Sequence, residues 1–146
     1  MQSYYIKFQY WDTMLHTING FLCAAVGFAL VELLNRQKNV RFDLSPIYLS
    51  IVAFCFSMTV GVLWEFFECG CDMFLHTDMQ KDTIVHSISS TALNKSKENT
   101  PVIIDNIREV TVNGEKLDID GYLDIGLLDT MKDLFVNFIG AIVFSI

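Results

Sequence analysis

The chain has 146 residues, 52% of them hydrophobic, and a mean hydropathy of +0.38. This composition is too apolar for an ordinary small soluble domain and predicts an integral membrane protein with at most one domain. The net charge of -7 lies mainly in residues 66–128, where acids outnumber bases, so nucleic acid is excluded as an expected partner of that surface.

The first predicted membrane helix is the apolar run from residue 13 to 34. About 20 helical residues cross about 30 Å of hydrocarbon, and Tyr10 and Trp11 are the aromatic residues expected at a membrane interface. Glu32 lies four residues before Arg36, which is a favourable helix pair. The start of the chain lacks the apolar core of a secretory signal, so insertion is expected to use the internal helices.

The second predicted helix runs from about Pro46 to Glu68. Ser45 before Pro46 is typical of an N-cap followed by proline at the first helical position. The link that precedes it contains three cations: Arg36, Lys38 and Arg41. The positive-inside tendency places this short link in the cytoplasm, and residues 77–125 are then extracytoplasmic.

Residues 77–125 are polar and contain Asn113-Gly114, the strongest local signal for a β-hairpin. The flanking runs, IREVTV and EKLDIDG, alternate apolar and polar residues as two antiparallel strands do. Both central residues of such a type I′ turn need positive φ. This segment is therefore predicted to be a small extramembrane loop with a β-hairpin.

The third predicted helix runs from about Gly126 to Ile146. Its uncharged part starts at Leu134 and is short of a full crossing, so either the span includes residues from Leu127 onward or the natural chain continues. The expected fold is an all-α membrane protein: a three-helix transmembrane bundle, complete or part of a larger one. Its expected parts are residues 1–76 with two helices, 77–125 with the loop, and 126–146 with the third helix.

Each predicted helix carries two ionisable residues three or four positions apart: Asp12 with His16, Glu65 with Glu68, and Asp129 with Asp133. Residues at this spacing share a helix face, and alternating helix directions bring all three pairs to the extracytoplasmic end. Such residues are costly near hydrocarbon and mark functional sites. Carboxylates gathered around an imidazole must share protons, pair with Lys132 or bind a cation.

Cation binding relieves the repulsion most directly, so all six residues are candidate metal ligands. Carboxylates suit Mg²⁺, Mn²⁺ or Ca²⁺, and a histidine adds Zn²⁺ to the candidates. In an enzyme acting on envelope lipid headgroups, His16 or Glu65 is the candidate general base. A plainer interpretation also stands: Asp12 and Asp129 offset helix dipoles at helix starts, and His16 is a hydrogen-bonded interior residue.

Two other functions fit the same pattern. The cluster could belong to an ion-coupled or proton-coupled transporter, or the chain could be a non-catalytic envelope protein whose acidic loop binds a partner. The expected partners are membrane lipids and other helices or a protein. Cys69 and Cys71 form a C-x-C pair without a second Cys/His pair nearby, which favours packing or free thiols over a zinc site.

Three segments resemble motifs of the YjdF-like bacterial inner-membrane proteins, a family of unknown function that is distantly similar to VanZ-like proteins. The segments are YWDTMLHTINGF at 10–21, LWEFFECGCDMFLHTDMQKDT at 63–83 and LLDTMKDLFVNFIGA at 127–141. The resemblance implies a multi-pass protein of the bacterial cell membrane in which the six ionisable residues match motif positions, and it implies no activity or cofactor. Family members usually have more helices, so the chain resembles a C-terminal half, and the insert at 84–125 departs from the family pattern.

Overall fold

The computed structural model describes Phe8 and residues 10–36, 44–96 and 98–146. These residues form three α-helices: α1, Trp11–Asn35; α2, Pro46–Leu75; and α3, Leu127–Ser145. Two compact units result. The helical unit comprises the described residues up to Met79 together with Thr130–Ile146, and the loop unit is Gln80–Asp129.

The start of α2 follows the predicted capping pattern. Ser45 is extended, with φ -65° and ψ 150°, and its hydroxyl accepts a hydrogen bond from the Tyr48 amide at 3.3 Å, with Pro46 at the first helical position. This satisfies one of the N–H groups that a helix start leaves without an intrahelical partner. The ion pair at the end of α1 is also present, with Arg36 and Glu32 2.5 Å apart. Lys38 and Arg41 of the expected cytoplasmic link lie outside the described residues.

The end of α2 differs from the prediction. The helix continues past Glu68 through the two cysteines to Leu75 and ends where His76 adopts the left-handed conformation, at φ 54°. A left-handed residue is a common helix stop. The sequence between Glu68 and Leu75 contains no proline, and its one glycine is tolerated within a helix, so the helix has no physical reason to end earlier.

Among the described residues, α1 and α2 are long and apolar enough to cross a membrane. The helix α3 is shorter, at 19 residues, and its first two turns carry Asp129, Lys132 and Asp133. The expectation of three helices is therefore confirmed. Of the three helices, α1 and α2 have the length and composition of membrane-spanning helices.

Small residues bring the helices of the helical unit together. Ala24, Ala53 and Ala141 are fully buried. A Cβ atom on Gly20 would overlap the backbone carbonyl oxygen of Asn137, and one on Gly140 would overlap a backbone carbonyl of α1. Because lipid gives helices little hydrophobic reason to associate, such close backbone approach is how membrane helices gain packing energy.

The described residues of the loop unit form three antiparallel two-stranded sheets and one short 3-10 helix, Thr91–Leu93. The paired strands are β1 (Ile84–Val85) with β6 (Tyr122–Leu123), β2 (Ile88–Ser90) with β3 (Val102–Ile104), and β4 (Thr111–Val112) with β5 (Glu115–Lys116). The predicted hairpin is the last pair, and its central residues Asn113 and Gly114 have φ of 54° and 87°, as a type I′ turn requires. Its strands are shorter than predicted, and the other two pairings were not predicted.

Asp124 ties together two ends of the loop unit. One carboxylate oxygen accepts a hydrogen bond from the Thr83 amide at 2.7 Å, and the other accepts one from the Leu128 amide at 2.8 Å. Partial burial alone would raise the pKa of Asp124, but these hydrogen bonds and one from the Gly126 amide lower it overall. The ionised form is therefore the form that the fold stabilises.

We expect this carboxylate to make the loop unit acid-sensitive. A group whose folded pKa is depressed contributes its full stabilisation above its unfolded pKa, about 3.9 for aspartate, and loses it as the pH falls through the folded pKa. Amide hydrogen exchange at Thr83 and Leu128 should be faster in D124N than in the wild type at neutral pH. The two proteins should converge in acid.

The matched control is D118N, which removes an exposed charge from the same unit. It should leave the exchange of both amides unchanged across the pH range. Equal exchange in the wild type and D124N at neutral pH would contradict the assigned role of Asp124.

Candidate functional site

The imidazole of His16 lies at the centre of a buried polar cluster contributed by all three helices. His16 is 8% exposed. Its Nε2 atom lies 3.6 Å from Asp12 Oδ1, one turn earlier on α1, and 3.5 Å from Asp133 Oδ2 on α3. Its Nδ1 atom lies 3.8 Å from Glu65 Oε1 on α2. The two ring nitrogens therefore face different carboxylates.

Local helix geometry explains why these side chains converge. Asp12 and His16 are four residues apart, and so are Asp133 and Asn137, so each pair lies on one helix face. Gly20 and Gly140 lie further along the faces of α1 and α3, where they permit close backbone contact. The small residues set how closely the helices approach, and the ionisable residues are thereby held within a few ångströms of one another.

Lys132 contributes a positive charge to the cluster. Its ammonium group lies 3.7 Å from Asp12 Oδ2 and 3.5 Å from Asp133 Oδ1. The Lys132 side chain is 45% exposed, whereas that of Asp133 is 2% exposed. One of the three alternatives drawn from the sequence, pairing of the acids with Lys132, is thus part of the observed arrangement.

Two further polar side chains, beyond the cluster along the helices, are buried in the helical unit. Asn137 is buried, and its Nδ2 atom donates a hydrogen bond to the Met58 sulfur at 3.5 Å. The buried Ser57 hydroxyl donates to the Gly20 carbonyl oxygen at 2.7 Å. The contribution of Met58 was missed, because a thioether within an apolar run gives no signal.

Among the residues that the structure describes, two sets of donors in the cluster could hold a metal ion. One comprises Asp12, His16 and Asp133, and the other His16, Glu65 and Glu68; within each set the donor atoms lie within 4.8 Å of one another. A neutral imidazole has one nitrogen lone pair, since its other nitrogen carries a hydrogen. His16 can therefore serve one set at a time, and its Nε2 atom faces the first.

Asp129 and Asp12 both occupy the first turn of a helix, where a carboxylate offsets the helix dipole. Asp129 belongs to the loop unit, where its carboxylate accepts a hydrogen bond from the Lys81 amide at 3.0 Å. It is in neither of the two donor sets. Its role as a metal ligand stays a prediction, and so do the catalytic roles of His16 and Glu65.

The cysteines of the C-x-C pair are free thiols, as are the other two. Cys69 lies within the C-terminal part of α2, with its sulfur 3.8 Å from that of Met73 one turn later. A contact between two soft sulfur atoms on one helix face is a packing interaction. The packing interpretation of the C-x-C pair stays a prediction.

Two helices are long and apolar enough to cross a membrane, and glycine and alanine pack the helical unit around ionisable side chains, as is typical of helical membrane proteins. The pattern of one family, described as "Predicted membrane protein (DUF2238)", matches residues 1–146, so the chain belongs to that family. No curated protein and no solved structure matches the chain. Membership of a membrane protein family is what the sequence led us to expect, while the finer resemblance to YjdF-like and VanZ-like proteins stays a prediction.

Proposed function

We propose that this protein is a membrane-embedded enzyme that binds a divalent cation and acts on lipid headgroups at the extracytoplasmic surface of a bacterial cell membrane. The observation that carries the proposal is the buried His16 imidazole facing carboxylates from all three helices. Burying several acids beside one imidazole is costly unless they are neutralised. A divalent cation neutralises two charges at once.

The geometry favours one assignment of ligands. Asp12, the Nε2 atom of His16 and Asp133 are the proposed ligands, because these groups face one another at 3.5–3.6 Å across the imidazole nitrogen. The Nδ1–H group then points to Glu65, as metal-bound histidines commonly donate their second nitrogen to a carboxylate. Three protein ligands leave positions for water and substrate, which is the pattern of catalytic rather than structural sites.

The depth of the cluster along α2 supports a headgroup substrate. Glu65 follows Pro46 by nineteen positions, which is roughly 28 Å at 1.5 Å per residue. If α2 enters the hydrocarbon near Pro46, this distance brings Glu65 to the opposite interface, since the hydrocarbon is about 30 Å thick. The neighbouring Trp64 and Phe67 rings are exposed and 5.4 Å apart, as suits an interfacial aromatic belt.

The chemistry proposed is hydrolysis of the phosphodiester at the headgroup: water attacks phosphorus, an alcohol group leaves, and the proton lost by the water ends on that alcohol. A bound divalent cation lowers the pKa of a coordinated water and polarises a substrate oxygen. Glu65 and Glu68 are buried and form the second donor set with His16, so they are the groups placed to accept the proton of that water. In this proposal α3 is a third transmembrane helix, and residues 77–125 are extracytoplasmic.

The direct test is metal content and headgroup release by the full chain. Wild-type protein in detergent, dialysed against Mn²⁺, should retain one equivalent by mass spectrometric metal analysis. It should also release headgroup from phosphatidylglycerol or phosphatidylethanolamine vesicles only when Mn²⁺ is present. D133N should lose both properties, because it removes one of three ligands. Absence of stoichiometric Mn²⁺ in the wild type would overturn the proposal.

A proton or cation pathway is the second candidate. It is favoured by Ser57 and Asn137, which extend the polar groups inward from the cluster. It ranks lower because the next buried residues along α1 and α2 are Ala24 and Ala53, which offer no side-chain group to relay a proton or ion. Flux into proteoliposomes that depends on Asn137 would reverse this order.

A further inference from the structure

The Lys132 ammonium group contacts the two carboxylates that are proposed to bind the cation, through the oxygens that do not face His16 Nε2. It lies 3.7 Å from Asp12 Oδ2 and 3.5 Å from Asp133 Oδ1, and these two residues with His16 form one of the two donor sets. The cluster thus already contains a covalently tethered monovalent cation. A divalent ion bound to the same carboxylates would face strong repulsion from an ammonium group only a few ångströms away.

The ammonium group of Lys132 can reach solvent from the cluster. The Lys132 side chain is 45% exposed, although the carboxylates that it contacts are largely buried. Lysine carries a compact charge on a flexible four-carbon stem and keeps its preferred hydration when it points into water. Lys132 can therefore leave the two carboxylates by rotation about its side-chain bonds, with no movement of α3.

We propose that Lys132 is a built-in competitor of the divalent cation: it neutralises Asp12 and Asp133 when the site is empty and swings out when the ion binds. This inference rests on the proposed cation site and deepens it. The buried acids are compensated in both states, so the bundle stays folded without metal. The cost is a lower metal affinity, because each binding event must displace the ammonium group.

The experiment compares the wild type with K132Q and K132R in Mn²⁺ titrations of the full chain. Binding is monitored by calorimetry and by the electron paramagnetic resonance signal of free Mn²⁺. K132Q should bind Mn²⁺ at least tenfold more tightly than the wild type, and K132R, which keeps the charge, should stay close to the wild type. The control is K116Q, whose lysine pairs with Glu109 on the exposed hairpin. It should leave Mn²⁺ affinity unchanged.

Thermal unfolding supplies a second readout that a merely structural lysine would not produce. Without metal, K132Q should unfold at a lower temperature than the wild type, because the carboxylates lose their cation. Saturating Mn²⁺ should abolish that difference. If K132Q does not fold, K132M keeps the apolar stem and takes its place.

The outcomes separate this inference from the function on which it rests. Equal Mn²⁺ affinity in the wild type, K132R and K132Q would overturn the competitor role and leave the cation site standing. Weaker binding in K132Q would also overturn it, because Lys132 would then support the site. Absence of Mn²⁺ binding in every variant, K132Q included, would overturn the cation site itself.

Discussion

Replacing His16 with alanine is expected to weaken Mn²⁺ binding by more than about a hundredfold, because even outer partners of a metal ligand typically contribute 10–100-fold. The imidazole is the group that both candidate donor sets share. Its removal leaves the first set with only the carboxylates of Asp12 and Asp133 as metal ligands, and Lys132 also contacts both of them. Calorimetric titration of the purified full chain with Mn²⁺ measures the effect.

The matched control for this change is His86→Ala in the loop unit. His86 is exposed, and its Nδ1 atom lies 3.0 Å from the Ile107 carbonyl oxygen. The control removes the same type of side chain at a position that is distant in sequence from the cluster. It should leave Mn²⁺ affinity at the wild-type value. Binding that survives His16→Ala intact would mean that His16 is an interior histidine and not a ligand.

Enlarging Gly20 is expected to produce the largest loss of stability. A Cβ atom there would overlap the Asn137 backbone carbonyl, and a backbone atom cannot turn away as a flexible side chain can. The helices must separate instead, so Gly20→Val should lower the free energy of unfolding by about 3 kcal/mol or more, at or above the usual upper range for overpacking. Loss of helical circular dichroism on heating in detergent measures this.

Gly70→Ala provides the comparison within the same helical unit. Apart from its chain neighbours and the local helix backbone, no described residue has an atom within 4 Å of a Cβ placed on Gly70, so the added methyl group causes no overlap. Alanine is a better helix former than glycine by up to about 1 kcal/mol, and Gly70→Ala should therefore be neutral or slightly stabilising. If both variants unfold like the wild type, close contact between α1 and α3 at Gly20 does not hold the bundle together.

The sequence predicted the helices better than the loop, and the reason is physical. Long apolar runs and the Ser45-Pro46 cap are strong local signals, so the starts of α1 and α2 lie within two residues of their predicted positions. The pairing of β1 with β6 joins two-residue strands that are far apart in the chain. Such short strands have no periodicity to detect, and only the Asn113-Gly114 turn carried a local signal.

The candidate site was predictable as a set of helix faces but not as an arrangement of atoms. Spacing of three or four residues indicated that Asp12, His16 and Asp133 share a neighbourhood. It did not indicate that the Nε2 and Nδ1 atoms of His16 face different acids, because that depends on side-chain rotamers and on helix rotation. It also did not indicate that Asp129 is used by the loop unit, through the Lys81 amide.

Lys132 and Asp133 are adjacent in α3, so the rotation of α3 about its own axis affects which of the two charges faces the cluster. Successive residues of an α-helix are turned by about 100°, yet one of these neighbours is mostly buried and the other half exposed. Turning α3 about its own axis would withdraw the acid from His16 and carry the ammonium group inward. The rotational position of α3 therefore determines which of these two charges faces His16.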